Sequence, residues 1–519
     1  MVILYKMLEE LLKEEKQRNG VKTKCASSLS HSLDWSAIDW EKCELGVRKL
    51  QRRIVKAWQE RRYGKIKSLQ HLLTNSFEAK ALAVKRVTSN KGGNTSGVDK
   101  VRWSTPNSKM KAVQSLKKRG YRPLPLKRVF IEKSNGKKRP LGIPTMKDRA
   151  MQSLYLMALE PIAETAADGN SYGFRRKRST ADAIDALHRL LSKSYSPQWI
   201  LEGDIKGCFD YISHDWLIKH IPTDKSILKK WLKCGVIYNK CLSPTEEGTP
   251  QGGIISPTLA NMTLDGMEVL VNEHYRAKYD KEKKGLLYPK VHLIRYADDF
   301  VVTATDKDTL ENIMKMIAGF LEKRGLKLSE EKTMITHIDE GFDFLGFNVR
   351  KYNGKLLIKP SLKGQKKLTE KLHEVVFSNK AAAQNKLIVK LNPVLTGWGN
   401  YYRHVVSKKI FCKMDHILVQ QLRRWAFRRH HNKSRDWCTK RYFKTDGNRH
   451  WCFKCQAMES GKKKIFTLKL LSDIPIVRHT KVKKDANPFD PSWNNYFEQR
   501  KLKAKLKRSY GKIARPVQI

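Results

Sequence analysis

The chain has 519 residues, of which 104 are Lys or Arg and 51 Asp or Glu, for a formal charge of +53 and a pI near 10.0. That length suits two to four domains with ample core, and so large a positive excess points to a polyanionic partner, nucleic acid above all. No apolar run reaches the roughly 18–20 residues that cross a bilayer, so no membrane partner is expected.

Met1 to Gln17 interleaves Glu9, Glu10, Glu14 and Glu15 with leucines, which reads as an acidic amphipathic helix, unlike a signal or transit peptide. Residues 18–35 are polar and read as a link. From Asp39 to Gln70 the pattern is helical and basic; Lys80 to Val87 continues it, and Lys91 to Asp99 is a glycine-rich loop. Arg128 to Lys133 and Lys137 to Pro144 form two strands around an Asn135-Gly136 turn. Residues 107–139 hold twelve Lys or Arg and a single acid, Glu132, mostly a solvated face. Lys147 to Ala166 is a long helical pattern carrying Arg149, Gln152 and Glu160.

Three stretches then carry the chemistry. In Trp199 to Asp210, a strand ends in Asp204 and a small-residue turn leads to Phe209. In Gly248 to Pro257, glycines allow close backbone approach to a ligand, and Gln251 offers an amide to a nucleotide or template. A helix-like apolar run follows from Thr258 to Leu270. In His292 to Thr303, two apolar strands meet at Asp298-Asp299. Adjacent carboxylates repel and lose hydration, which a hard divalent cation compensates. With the Asp204 strand beside this hairpin, the acids could hold two ions about 3.5–4 Å apart, the arrangement used in phosphoryl transfer.

Leu310 to Leu321 reads as a helix, and beyond about residue 355 helices dominate. Residues 421–444 hold nine basic residues and one acid among aromatics; Arg423, Arg424, Arg428, Arg429, Lys440 and Arg441 fit a structured-RNA surface. The nine cysteines are scattered, as in a reduced intracellular protein, and the one C-x2-C, Cys452 with Cys455, lacks the second pair a zinc site needs. Residues 461–519 carry sixteen basic and four acidic residues.

The three chemical stretches, in this order and wording, resemble the palm of the bacterial group II intron-encoded reverse transcriptase/maturase family. The resemblance covers nearly everything from about residue 36 to 500. Tyr172, Phe174 and Arg175 then fall in a fingers motif, the first two read as packing and Arg175 as a template contact. Gly325 to Thr333 resembles a further palm motif, Phe342 to Phe347 the primer grip, and Leu391 to Arg403 the maturase region.

What the resemblance implies is an α+β right-hand polymerase, with fingers, a palm built on an antiparallel sheet, and an α-helical thumb/domain X. The expected domains are an N-terminal helical extension (1–75), fingers (76–195), palm (196–355), thumb/maturase (356–460) and a basic, DNA-binding-like tail (461–519). Asp204, Asp298 and Asp299 would be catalytic and, with the Ile205 carbonyl, hold two Mg2+ ions, Mn2+ being an alternative. Arg139 would reach the incoming triphosphate, Phe209 would stack under its sugar, Gln251 would line its site and Lys332 would assist the leaving pyrophosphate. Expected partners are group II intron RNA, an RNA template with a DNA primer, target DNA and dNTPs, in the bacterial cytoplasm at the nucleoid. The form expected is the one without a C-terminal HNH endonuclease. A relative serving a host role, or a splicing-only RNA-binding maturase, are the other readings.

Overall fold

The computed structural model describes residues 34–513, apart from 133–135, 137, 240, 250–251, 277, 281–284, 288, 448 and 460 and the side chains of 278–280, 285–287 and 505–513. The expected N-terminal helix and most of its link lie outside the described residues.

Helices come first. α1 (Trp40–Gln59), α2 (Tyr63–Asn75) and α3 (Phe77–Ser89) stand where the sequence suggested one continuous basic run. Arg61, at φ 54°, breaks the run after α1. Ser76 follows α2 and caps α3, its Oγ accepting from the Ala79 N–H at 3.2 Å. After α4 (Pro106–Ser115), strands β1 (Leu126–Glu132) and β2 (Lys138–Ile143) pair antiparallel, placing Ile131 opposite Arg139. Their expected Asn-Gly turn falls largely outside the described residues. α5 (Met146–Ala166), capped by Thr145, is buried along most of its length and is the post against which α1–α3 pack. α6 (Thr180–Leu191) closes this region.

The palm begins at β3 (Trp199–Gly203) and continues through α7 (Cys208–Tyr211), α8 (His214–His220) and α9 (Lys225–Leu232). A hairpin, β4 (Val236–Tyr238) and β5 (Cys241–Ser243), extends the fingers sheet through a parallel pairing of β4 with β1. The expected apolar helix from Thr258 is two helices, α10 (Ser256–Leu264) and α11 (Met267–His274). The break sits at Asp265, committed to an ion pair, and Gly266, at φ 97°. After β6 (Lys278–Asp280) and β7 (Gly285–Leu287), the sequence-predicted hairpin appears as β8 (His292–Tyr296) and β9 (Asp299–Ala304). α12 (Lys307–Glu322) and β10 (Met334–His337) complete a four-stranded antiparallel sheet, ordered β10-β3-β9-β8. Strand alternation sends Leu201, Leu293 and Val302 into the core shared with the fingers, and Ile200, Ile294 and Val301 into a second core.

That second core belongs to the C-terminal half. β11 (Phe342–Phe344), β12 (Phe347–Tyr352) and β13 (Lys355–Pro360) form a small sheet, followed by α13 (Leu362–Phe377), α14 (Gln384–Tyr402), α15 (Lys408–Arg429) and α16 (Arg435–Tyr442). A last sheet, β14 (Phe443–Asp446), β15 (Arg449–Glu459) and β16 (Lys462–Thr467), precedes α17 (Asn494–Ile513). Two expected boundaries fall inside elements: 355/356 cuts β13, and 460/461 cuts the β15–β16 hairpin. Cys452 and Cys455, three apart on β15, face opposite sides of the strand.

The region beyond residue 461 differs from a free basic tail. After β16 the chain crosses the fingers, where Asp182 of α6 accepts the Val482 N–H at 2.8 Å and bonds His479 Nε2 at 2.9 Å and Arg500 at 3.4 Å. Arg178 holds the carbonyls of Lys484 and Ala486 at 3.0 and 3.3 Å. Charge counting misses this because the strap is held by backbone groups and by buried acids distant in sequence, Asp182 and Glu268.

Candidate active site

The three acids converge at the edge of the palm sheet. Tyr296 pairs with Asp299, so Ala297 and Asp298 form a two-residue turn, and Ala297 takes φ 59°. A non-glycine residue there stores strain of about 1 kcal/mol or more, which surrounding structure must hold. β3 pairs with β9 through Gly203 and Phe300, which delivers Asp204 beside the turn. Past Asp204 the chain is clamped by the segment 327–329: the Ser329 N–H donates to the Asp204 carbonyl at 2.8 Å, and the Lys206 N–H to that of Lys327 at 3.0 Å. These bonds leave the Ile205 carbonyl out of the ladder, and they place Lys332 with its Nζ 2.7 Å from Asp204 Oδ2.

The acids act strongly on one another. Burial, then the Asp298 and Asp204 charges, push the Asp299 carboxyl up to about 7. Burial and the Asp204 charge also raise Asp298, against the pull of Arg139 and Lys332. Lys332 is held above the ordinary lysine range, chiefly by its bond to Asp204. Beneath them, burial and the same acids push the Cys208 thiol up to about 12, so it stays neutral. Among the described residues no three His, Cys, Asp or Glu side chains are already closed around a metal-sized point. Asp204 is paired with Lys332. The three carboxylates form an all-oxygen donor set, which is what hard divalent cations take.

The other sequence-predicted residues ring this centre. Arg139, on exposed β2, is near enough to Asp298 to act on its charge. Phe209 lies half-buried, its ring 6.4 Å edge-on from that of Phe174, at a cavity of about 340 Å3 shared with Gly142 and Thr249. Gln251 lies outside the described residues. The loop carrying it is pinned on its far side, where Gly252, at φ 118°, comes so close to the Gly142 carbonyl that a Cβ would sit 2.6 Å from it. Gln152 on α5 accepts the Ile254 N–H at 2.8 Å and holds the same loop from beneath.

Some expectations are corrected. Arg175 is no template contact: it pairs with buried Glu164 through two nitrogens, at 2.8 and 3.0 Å, and holds the carbonyls of Asp168 and Ser171. Phe174, expected in the core, is 55% exposed, at φ 58°, facing Phe209. Tyr172 is buried as expected. Sequence reasoning missed Arg295. It is fully buried, bonded to Asp265, to Asn261 and, at 3.3 Å, to the Ala297 carbonyl of the catalytic turn. Even so, burial holds the Asp265 carboxyl up at about 7. An arginine between Ile294 and Tyr296 in an otherwise apolar strand was the available signal.

Of the six cationic residues expected on an RNA surface, Arg423 packs over the Phe427 and Trp451 rings, and Arg441 over that of Trp437. Arg429 departs from the expectation: it stacks on Trp425 and donates to the Lys380 and Ala382 carbonyls. Arg424 and Arg428 are exposed, and Lys440 pairs with Asp436 at 2.9 Å.

Paired acids on an antiparallel palm, a basic fingers hairpin over them and a helical thumb behind define a nucleotide-polymerising enzyme of the right-hand class. Comparison with known families narrows this. "Reverse transcriptase (RNA-dependent DNA polymerase)" matches residues 131–349, "N-terminal domain of reverse transcriptase" 35–116, and "Group II intron, maturase-specific domain" 365–443. Protein YkfC of Escherichia coli K12 is 34% identical over 363 residues, 63% of this chain and 92% of that protein. The group II intron-encoded protein LtrA of Lactococcus lactis subsp. cremoris is 31% identical over 376 residues, 59% of this chain and 62% of LtrA. The chain belongs to the group II intron-encoded reverse transcriptase/maturase family. Reverse transcriptases use divalent metal ions, and the maturase domain implies RNA binding. No helix among the described residues is long and apolar enough to cross a membrane.

Proposed function

We propose that the chain copies RNA into DNA from dNTPs on a DNA primer, and that its C-terminal half grips group II intron RNA to assist splicing and return of the intron to a target DNA. The observation that carries the first part is the convergence of Asp204, Asp298 and Asp299 with Lys332 and Arg139. Two Mg2+ ions, or Mn2+ in their place, held by the three acids and the Ile205 carbonyl, would supply charge neutralisation and activate the primer hydroxyl. The primer 3′-oxygen forms a bond to the dNTP α-phosphorus as the bond to pyrophosphate breaks, and the hydroxyl proton is lost. Arg139 suits the triphosphate because its planar fork pairs with phosphate oxygens. Phe209 would exclude a ribose 2′-hydroxyl, Gln251 would offer its amide to the nucleotide, and Lys332, bonded to Asp204, would protonate the leaving pyrophosphate. Arg423, Arg424, Arg428, Lys440 and Arg441 supply the RNA-binding face, with the basic residues of 461–519 left for target DNA at the nucleoid.

The test is dNTP incorporation on an RNA template with a DNA primer and Mg2+, comparing the wild type with Asp298→Ala. Loss of incorporation in a folded mutant is expected. A folded, RNA-binding wild type that incorporates nothing would overturn the polymerase reading.

A further inference from the structure

The catalytic turn has a neighbour along the edge of the palm sheet. β8 is an outer strand of that sheet, and the stretch Asn170 to Gly173, between α5 and α6, lies against it. The Arg295 N–H donates to the Asn170 carbonyl at 3.0 Å, and the Tyr172 N–H to the Arg295 carbonyl at 2.9 Å. One residue on, Gly173 meets the Ala297 backbone. This stretch is held in turn from α11. Glu268, in the first turn of that helix and 3% exposed, accepts the Asn170 N–H at 2.8 Å and the Asn170 side-chain amide at 2.9 Å. Two further acids lie in the same network: Asp168 accepts the Gly266 and Glu268 N–H groups, and Asp265 pairs with Arg295. The cation that answers Glu268 comes from far along the chain. Lys484, in the strap and half exposed, brings its Nζ to 2.9 Å from Glu268 Oε1. Its stem passes so close over Gly169 that a Cβ there would overlap it, and Arg178 holds its carbonyl at 3.0 Å. Lys481, also in the strap, donates to the Tyr172 hydroxyl at 3.3 Å.

We propose that Lys484 is a positioning residue for nucleotide addition, acting through Glu268 and Asn170 on the turn that carries Asp298 and Asp299. It neutralises a buried carboxylate, and that carboxylate sets the main chain against which β8 rests. A buried carboxylate left without its cation is strongly destabilising, and Glu268 relieves this by moving towards water. Asn170 then loses the acceptor of both its N–H groups, and the Arg295 backbone loses its seat against residues 170–172. Ala297 and Asp298 follow, because Arg295 Nη1 holds the Ala297 carbonyl at 3.3 Å. Lys484 acts only through these groups, so its loss slows the chemical step and leaves nucleotide affinity alone. This rests on the reading that the three acids carry out nucleotide addition.

The experiment uses the full chain in single-turnover addition of dTTP to an oligo(dT) primer on poly(rA) with Mg2+, which separates the maximal rate from dNTP affinity. Lys484→Met keeps the stem over Gly169 and removes the charge. It is expected to lower the maximal rate about tenfold while dNTP affinity stays within about twofold. Lys484→Arg, which keeps the charge, should recover most of the rate. Lys484→Met/Glu268→Gln removes the stranded carboxylate as well and should turn over faster than Lys484→Met alone, a non-additivity that lost packing does not produce. All rates are taken at a temperature where melting curves show every variant folded. A Lys484→Met that matches an active wild type, a loss confined to dNTP affinity, or a double variant no faster than Lys484→Met overturns the positioning role and leaves the polymerase reading standing. A wild type that adds no nucleotide removes that reading, and the positioning role with it.

Discussion

Gly173→Ala tests whether the fingers loop sets the catalytic turn. A Cβ built on Gly173 lies 2.4 Å from the Ala297 nitrogen, 3.0 Å from the Tyr296 carbonyl carbon and 3.1 Å from the Ala297 Cα, all main-chain atoms. Ordinary contact begins at 3.4 Å, so the two segments must part by about 1 Å. The loop cannot supply that movement easily. The Gly173 carbonyl accepts from Asn261 at 2.7 Å, the Tyr172 N–H donates to the Arg295 carbonyl at 2.9 Å, and the Tyr172 side chain is buried. Displacement therefore passes to Ala297, already at a strained φ, and on to Asp298. Overpacking of this kind costs about 1–3 kcal/mol, and a shift of about 1 Å in a reacting group can cost about a hundredfold in rate. The assay is single-nucleotide extension at saturating dNTP, with a thermal melt and RNA binding run in parallel. The expected variant melts a few degrees lower, binds RNA normally and extends about a hundredfold more slowly. Wild-type extension in the folded variant would refute the reasoning.

Gly397, inside α14, has nothing within 4 Å of its Cβ position, so Gly397→Ala should stabilise the chain by about 0.5–1 kcal/mol in a urea titration. Its activity should be unchanged, which makes it the control for Gly173. His404, packed near the Phe347 ring, is pulled to about 4 by burial and then by His479. The unfolded chain takes up this proton near pH 6.5 while the folded chain resists it, so the contribution to stability is full above pH 6.5 and is lost as pH falls towards 4. Between pH 7 and pH 5 the wild type should lose about 2 kcal/mol from this group. His404→Gln should flatten that part of the urea midpoint profile.

What was legible in the sequence was whatever is local. Asp298-Asp299 between apolar strands, the strand ending in Asp204, and the glycines around Gln251 each announce themselves within a dozen residues. Their assembly follows from strand pairing, and β3 does lie against β9. Interactions that join distant segments were not legible. Arg295 and Asp265 are 30 residues apart, and neither is unusual until the fold buries both. Arg175 was expected at the template because the resemblance set it in a fingers motif, yet Glu164 lay eleven residues back on the end of α5. The helix break at Asp265-Gly266 had the same origin, since the carboxylate is needed by Arg295 and the glycine supplies a backbone angle no continuous helix allows. The strap beyond residue 477 was hidden behind its own charge. Its lysines dominate the composition, while its anchoring depends on distant partners that only the fold brings near: Asp182 and Glu268, the latter paired with Lys484 at 2.9 Å.

These long-range contacts bear on how polymerase and maturase halves act together. The back face of the catalytic hairpin, through Ile294 and Val301, shares one apolar core with Phe347 of the β11–β12 hairpin, Leu395 of α14 and Leu418 and Trp425 of α15. The same α15 presents Arg424 and Arg428 outward. Tyr401 and Tyr402, at the end of α14, donate to the Leu345 and Gly346 carbonyls at 2.8 and 3.0 Å and so fix the turn of the β11–β12 hairpin. Close-packed cores transmit displacement because they have little free volume to absorb it. A displacement of α15 would therefore be felt at the β11–β12 turn through α14 and at the Asp298-Asp299 turn through β8 and β9. The strap adds a second tie, from the C-terminal region to α6. The two halves are thus joined through a shared core and the strap as well as through the chain itself.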